Sequence, residues 1–136
     1  MIVADTNLVV AAVLESPMSK AAEAARARDK QWVAPRLLRS ELLNVLTKYV
    51  LLAHAIDRDR AVRVFRRALA LVSLEEEETD PVEVLNTSIQ AGLSSYDAEF
   101  VVLARRLGAR LVTLDSSILK GCPDVAVSIA DFAAGK

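Results

Sequence analysis

The chain has 136 residues, of which 53% are hydrophobic and 26% charged, and its net charge is −1. This length and composition fit one globular domain, residues 1–136, with a sizeable core. The lone Cys122 excludes an internal disulfide and a cysteine zinc site, and the lone His54 excludes a histidine-rich metal site. Any metal site must therefore use oxygen ligands, which favours Mg²⁺ or Mn²⁺. Without an apolar run of about 18 residues or a basic leader, we expect a soluble cytoplasmic protein that does not contact membranes.

Short apolar segments alternate with helical patterns along the whole chain. Strands are predicted at 1–4, 31–34, 71–75, 111–114 and 125–127. Helices are predicted at 6–15, 19–28, 36–52, 57–72, 81–91, 95–107 and 129–134, with a short helical turn after the fourth strand. This alternation predicts a layered α/β fold with a parallel sheet.

Helical periodicity also predicts which faces are buried and where helices begin. Ser19 and Asp57 are predicted N-caps. In helix 57–72, Val62, Phe65 and Leu69 are expected to face the core. In helix 36–52 the apolar stripe consists of Leu37, Leu38, Leu42, Val45, Leu46 and Tyr49.

Four acidic residues stand within or directly after apolar segments. Asp5 ends the first predicted strand, Asp115 ends the fourth, Glu41 interrupts a stripe of leucines, and Asp97 opens the helical pattern YDAEFVVLA. Carboxylates are costly to desolvate and need a partner, for which a divalent cation is suitable. Because ligands of parallel sheets bind beyond the carboxyl ends of the strands, we expect the four acids to meet at that edge.

Each acid also has a purely structural interpretation. Asp5 and Asp115 could be N-caps of the helices that follow them. Asp97 could be a first-turn acid that favours the helix dipole, with Ser94 or Ser95 as the cap. Glu41 has no capping role, but it could pair with Arg39 or Arg110. The four together favour a metal site.

Arginine outnumbers lysine twelve to five and is clustered along the chain. Five arginines fall within residues 58–67, and Arg36 and Arg39 precede Glu41. A solvated helix face and phosphate contact both explain such clusters, because guanidinium binds phosphate in a bidentate manner. The run of glutamates at 75–78 is interpreted as a solvated polar turn.

The stretches VADTNLVVA, LLRSELLNVL and SYDAEFVVLARRLGARLVTLD resemble the PIN domain, specifically the toxin ribonucleases of the VapBC type. The resemblance implies a three-layer α/β/α fold with a central parallel sheet. It implies that Asp5, Glu41, Asp97 and Asp115 are the catalytic, metal-binding acids, with Mg²⁺ or Mn²⁺ as cofactor. Thr6, Asn7 and Thr113 correspond to supporting polar neighbours. Many relatives carry another acid and an aromatic residue where this chain has Ser117 and Ile118. This difference leaves open whether the site binds one metal ion or two.

The resemblance further implies a metal-dependent endoribonuclease that leaves a 5′-phosphate and a 3′-hydroxyl. We expect it to act as a toxin, to be inhibited by a small antitoxin protein and to form a homodimer. Candidate RNA contacts are Arg36, Arg39, Arg63 and Arg67. The alternatives are a housekeeping RNA-processing nuclease without antitoxin and a non-catalytic interaction module. The acid patterns of receiver domains and of haloacid-dehalogenase-type phosphatases do not fit this sequence.

Overall fold

The computed structural model describes all 136 residues and contains one five-stranded sheet. All strand pairs are parallel, in the order β3-β2-β1-β4-β5. The predicted parallel α/β fold is therefore confirmed, although the first three strands are shorter than predicted and the last two are displaced by one residue. Their bounds are β1 Ile2–Ala4, β2 Trp32–Ala34, β3 Val72–Leu74, β4 Arg110–Thr113 and β5 Ala126–Ser128.

Eight helices flank the sheet. They are α1 Thr6–Val13, α2 Ser19–Arg28, α3 Leu37–Leu51, α4 Arg58–Leu71, α5 Pro81–Ala91, α6 Ser95–Leu107, α7 Ser116–Gly121 and α8 Ile129–Ala133. Helices α5 and α6 have the predicted bounds, and each ends at a left-handed glycine, Gly92 or Gly108. Glycine adopts this conformation without a steric penalty, which explains why both helices end there.

The strands and helices enclose one main hydrophobic core. Its largest fully buried side chains are Trp32 and Phe100. Helix α6 packs on β1 and β4 and also contacts α5, while α1 packs against α2, α3 and α4. No helix is both long enough and apolar enough to cross a bilayer.

The inward face of helix α4 is only partly as predicted. Phe65 and Leu69 pack against the core, but they and Val62 are only half-buried, and the most deeply buried residues are Val64 and Ala68. The helix has apolar residues over a wide arc, so the predicted stripe is one part of the buried face. The small Ala68 side chain allows neighbouring elements to approach closely, so the burial is centred there.

The connection between α1 and α2 also differs from its prediction. Helix α1 ends at Val13 because Leu14 has extended backbone angles. Ser19 is the first residue of α2 and not its N-cap. Its hydroxyl donates to the carbonyl of Leu14 at 3.1 Å and accepts from the N–H of Ser16 at 2.9 Å. This serine therefore closes the turn between the two helices.

Candidate active site

The two central strands bring two of the four acids to one edge of the sheet. Strands β1 and β4 are neighbours, with Ala4 paired to Val112. Asp5 directly follows β1, and Asp115 is the second residue after β4. Glu41, near the start of α3, and Asp97, in the first turn of α6, line the same cleft of about 540 Å³. The fold thus places all four acids around one cavity.

Asp5 is the most deeply buried of the four acids and accepts three hydrogen bonds. Its side chain is 6% exposed. Oδ1 accepts from the N–H of Thr6 at 2.7 Å. Oδ2 accepts from the hydroxyl of Thr113 at 2.5 Å and from the amide of Asn7 at 3.1 Å. These donors stabilise the charged form of the carboxylate and determine its orientation.

Asn7 and Thr113 also connect the two strand ends. The Asn7 side chain accepts from the N–H of Leu114 at 3.0 Å and donates to the Thr113 hydroxyl at 3.3 Å. That hydroxyl accepts from the N–H of Asp115 at 2.9 Å. Thr113 is fully buried, so every partner of its hydroxyl is a protein group. Thr113 therefore links the backbone of Asp115 to the carboxylate of Asp5.

Glu41 is held by Thr6 and by no basic residue. Its Oε1 accepts from the Thr6 hydroxyl at 2.7 Å. Thr6 thus contacts two of the four acids, through its N–H and its hydroxyl. The alternative ion pairs do not form, because Arg110 donates to main-chain carbonyls and Arg39 is exposed.

The capping interpretations hold alongside the position in the cleft. Asp5 is the N-cap of α1. Asp115 is the N-cap of α7 and accepts from the N–H groups of Ser117 and Ile118 at 2.8 and 3.0 Å. Asp97 lies in the first turn of α6, where Ser94 is the N-cap. Helix N-termini favour negative charge, so these positions partly stabilise the clustered carboxylates.

The cleft has a concentrated and uncompensated negative charge. Burial raises the pKa of Asp5 to about 6, with smaller contributions from the charges of Glu41 and Asp97 and in spite of its hydrogen bonds. Burial, and then the charge of Asp97, raises the pKa of Glu41. Burial, and then the charge of Asp115, raises the pKa of Asp97. No arginine, lysine or histidine lines the cleft.

The carboxylates supply only oxygen donors, which suit a hard divalent cation. No three acidic, histidine or cysteine side chains are arranged to hold one metal ion. Ion binding therefore requires side-chain rotation or contact through water. Magnesium commonly keeps several waters and binds only one or two carboxylates directly, so this arrangement fits such an ion.

A family match over most of the chain accompanies this geometry. Residues 2–121 match the PIN domain family. The chain is a member of the PIN domain family. PIN domains are typically nucleases, and PIN nucleases generally use divalent metals.

Solved structures show the same PIN fold. The first is the crystal structure of PAE2754 from Pyrobaculum aerophilum, with a TM-score of 0.79 and 22% identity, covering 98% of this chain and 87% of that one. The second is a toxin–antitoxin complex from Klebsiella pneumoniae, with a TM-score of 0.71 and 18% identity, covering 95% and 98%. No curated protein sequence matches this chain. At these identities the likeness concerns the fold.

The arginines suggested by sequence as RNA contacts lie outside the cleft of this PIN domain. Arg36 lines a separate cavity together with Glu77, Glu78 and Glu99. Arg39, Arg63 and Arg67 are exposed, the last two on α4. The structure therefore does not place these side chains beside the four acids.

Sequence reasoning missed several residues that line the cleft of the PIN domain. They are Val10, Ala11, Ser16, Pro17, Met18, Asn44, Val45, Tyr49 and Leu114. Three of them follow Glu41 on α3 by three, four and eight residues, which is the spacing of one helical face. That spacing is the available signal, but Val45 and Tyr49 also fit the apolar stripe of helix 36–52 and so match a core-facing pattern.

Proposed function

We propose that this chain is a metal-dependent endoribonuclease that cleaves RNA phosphodiester bonds, and that it is the toxin of a type II toxin–antitoxin pair. The observation that carries the nuclease is the convergence of Asp5, Glu41, Asp97 and Asp115 on one cleft without any basic residue. Carboxylates so placed repel one another unless a cation joins them.

The proposed roles follow from the resemblance to PIN domains and from the position of the four acids in one cleft. Asp5, Glu41 and Asp97 would hold Mg²⁺ or Mn²⁺, and Asp115 would complete the set or orient the attacking water. When bound, the ion supplies Lewis-acid chemistry at the phosphate and makes water a better nucleophile at neutral pH. Thr6 keeps two of these carboxylates oriented, since it donates to both Asp5 and Glu41.

The supporting residues keep the acids oriented at a local cost in stability. Thr113 and Asn7 donate to the same oxygen of Asp5, which leaves that carboxylate little freedom to rotate. Holding a buried carboxylate charged is unfavourable before an ion arrives. A cation therefore binds to carboxylates that the fold already holds close together in spite of their mutual repulsion.

RNA cleavage by the purified chain tests the nuclease. We expect cleavage with Mg²⁺ or Mn²⁺, none in EDTA, and products with a 5′-phosphate and a 3′-hydroxyl. Asp97→Asn, purified identically, controls for contaminating ribonucleases. Cleavage that persists in EDTA, or that Asp97→Asn retains, would contradict the proposal, as would inactivity with both ions.

An apolar groove between α3 and α4 supports the toxin assignment. It has a volume of about 360 Å³ and is lined by Leu43, Leu46, Thr47, Val50, Leu51, Arg58, Ala61, Val62 and Phe65. Amphipathic helices bind in such grooves through apolar side chains. One structure with this fold is a toxin–antitoxin complex. We infer that an antitoxin helix occupies this groove and that a basic side chain of the antitoxin approaches the acidic cleft.

Expression in a bacterial host tests the toxin assignment. We expect the intact chain to arrest growth, Asp5→Asn to be harmless, and the adjacent small gene, when co-expressed, to restore growth. Harmless expression of a chain that cleaves RNA in vitro would instead support a housekeeping nuclease.

We also infer a homodimer, supported by an exposed apolar stripe on α5. Val82, Leu85 and Ile89 are 59–72% exposed and lie on one side of the helix. A contiguous exposed apolar surface of this kind is typical of a protein interface. Sedimentation should give a dimer for the intact chain and a monomer for Ile89→Asp, and a monomeric intact chain would contradict the inference.

A further inference from the structure

The cleft extends well beyond the four acids. Its lining also contains Val10, Met18, Val45 and Tyr49. Tyr49 follows Glu41 by eight residues on α3, which is about 12 Å along the helix axis at 1.5 Å per residue. Helical side chains generally lean towards the N-terminus, which is the direction of Glu41 from Tyr49, and both residues line the cleft. The cleft therefore has a carboxylate part and a neighbouring part lined by apolar and aromatic side chains.

The apolar part suits a nucleobase better than a phosphate or a ribose. No positive charge lines the cleft, so a phosphate has no attractive partner among the side chains of this part. Bases are flat and apolar on their faces, and stacking on an aromatic ring is a common source of affinity for unpaired nucleotides. Tyr49 is half-buried, packs against the core and also lines the cleft.

A polar side chain lies on α3 between Glu41 and Tyr49. Asn44 follows Glu41 by one helical turn, is exposed, and lines the cleft. An amide offers both a donor and an acceptor, which is the combination that pairs with the edge of a base.

We propose that the nucleobase next to the scissile phosphate stacks on Tyr49 in this apolar part, with Asn44 contacting the edge of the base. The inference rests on the proposed RNA cleavage, because it assigns the rest of the same cleft to the substrate. Tyr49 and Asn44 are then determinants of substrate specificity, while the four acids act on the phosphate.

Binding of two matched oligonucleotides tests this assignment independently of catalysis. One is a short single-stranded RNA with hydrolysis-resistant phosphorothioate linkages, and the other is an abasic strand of the same length, linkage and charge. Affinities are measured by fluorescence anisotropy in Mn²⁺. The ratio of the two affinities isolates the contribution of the bases, since a general loss of folded protein lowers both affinities alike.

The intact chain is expected to bind the RNA about tenfold more tightly than the abasic strand, as one stacked base contributes in this range. Tyr49→Leu should reduce that ratio to about twofold or less, and Tyr49→Phe should retain it because the ring remains. Phe65→Leu is the matched control, since it removes a half-buried ring from the α3–α4 groove and not from the cleft. The control should keep the full ratio.

Equal affinities for the two strands in the intact chain, or an unchanged ratio in Tyr49→Leu, would overturn the proposal. So would a Tyr49→Leu variant whose only defect is weaker binding of a protein partner. If Tyr49→Leu does not fold, the exposed Asn44→Ala decides, with a roughly threefold fall in the ratio expected and an unchanged ratio contradicting it. If the chain cleaves RNA but binds both strands equally, only the proposed base site is contradicted. If the chain binds RNA more tightly than the abasic strand but does not cleave RNA, only the proposed nuclease activity is contradicted.

Discussion

Helix α3 contributes to two concave surfaces of opposite character. Glu41, Asn44, Val45 and Tyr49 line the acidic cleft, and Leu43, Leu46, Thr47, Val50 and Leu51 line the apolar groove shared with α4. In the cleft, burial and, to a smaller extent, neighbouring carboxylates raise the pKa values of Asp5, Glu41 and Asp97. In the groove, the only charged lining residue is Arg58, which pairs with the exposed Asp59.

One helix thus contributes to electrostatic repulsion on one surface and to exposed apolar area on another. In the proposed function, a cation relieves the electrostatic repulsion in the cleft, so we expect the cleft residues to contribute to chemistry and to reduce the stability of the ion-free protein. The groove exposes apolar area that a partner can cover, so we expect its residues to contribute to association. Substitutions in one surface should therefore leave the other function intact.

The largest expected effect is on catalysis in the cleft. Asp97→Asn should reduce RNA cleavage by about 1000-fold, because loss of an anionic ligand removes several kcal/mol of transition-state stabilisation. Its stability without metal should be unchanged or higher, since the raised pKa of Asp97 reflects unfavourable burial and repulsion. The antitoxin complex should still form. Cleavage rates, thermal unfolding and co-purification measure the three outcomes, and an unfolded variant would support a purely structural role.

A second test uses the pH dependence of stability without metal. Asp5 has a pKa of about 6 in the folded protein, against 3.8 as the ordinary value. The folded state therefore binds the Asp5 proton more tightly than the unfolded state does. The stability that this proton contributes is complete at low pH and is lost as pH rises from about 4 to above 6. Between pH 4 and pH 7, the free energy of unfolding of the intact chain should therefore fall relative to that of Asp5→Asn, by about 2–3 kcal/mol.

Asp124→Asn is the control of opposite sign. The hydrogen bond from Arg105 lowers the pKa of Asp124. This carboxylate therefore contributes stability above its ordinary pKa, which is lost as pH falls below about 4. The pair is half-exposed, so its removal should cost less than about 1 kcal/mol at pH 7. Denaturant unfolding in EDTA across this pH range checks both variants, and a parallel pH profile for Asp5→Asn and the intact chain would contradict the account.

A third test is a substitution in the groove. Leu51→Asp should weaken the antitoxin complex by about 30-fold or more, as expected when a charge replaces an apolar anchor. RNA cleavage should stay unchanged. Leu52→Asp is the matched control, because Leu52 is the next residue, is 74% exposed against 63% for Leu51, and does not line the groove. Titration calorimetry with the antitoxin distinguishes them, and equal losses in both variants would exclude the groove as the docking site.

The smallest effect is expected at the arginines. Arg36, Arg39, Arg63 and Arg67 do not line the cleft, so in the proposed function we expect them to contact phosphates away from the cleaved bond. Arg63→Gln should weaken RNA binding by about threefold and reduce the salt dependence by about one charge. An unchanged salt slope when each of the four arginines is replaced by glutamine in turn would show that these residues form only a solvated surface.

The parallel sheet and the meeting of the four acids at one edge of it could be predicted from the sequence because both leave local signals. Two predicted helices, Pro81–Ala91 and Ser95–Leu107, have glycine at the C-cap and match the structure. A carboxylate directly after an apolar strand stands at the carboxyl edge of a parallel sheet, which accounts for the position of Asp5. Asp115 follows one residue later because β4 is displaced by one residue from its prediction.

Other features depend on contacts that periodicity does not encode. The buried face of α4 is centred on Val64 and Ala68, since the apolar arc of that helix is wide and tertiary packing selects one part of it. Tyr49 matched the core-facing pattern of α3, yet it lies at the border where the core meets the cleft. The hydroxyl of Thr113 bonds to Asp115, two residues away, and to Asp5, which is more than 100 positions away along the chain.

Metal binding tests the central claim most directly, namely that the four acids form one cation site. Titration calorimetry with Mn²⁺ is combined with thermal unfolding in EDTA and in excess Mn²⁺, using the intact chain, Asp5→Asn, and Asp80→Asn, which removes a helix-capping carboxylate away from the cleft. We predict that Mn²⁺ binds and stabilises the intact chain and Asp80→Asn, by about 2.7 kcal/mol at 100 times the dissociation constant, and that Asp5→Asn loses this response. No binding heat and no shift in the intact chain, or the same shift in Asp5→Asn, would contradict the account.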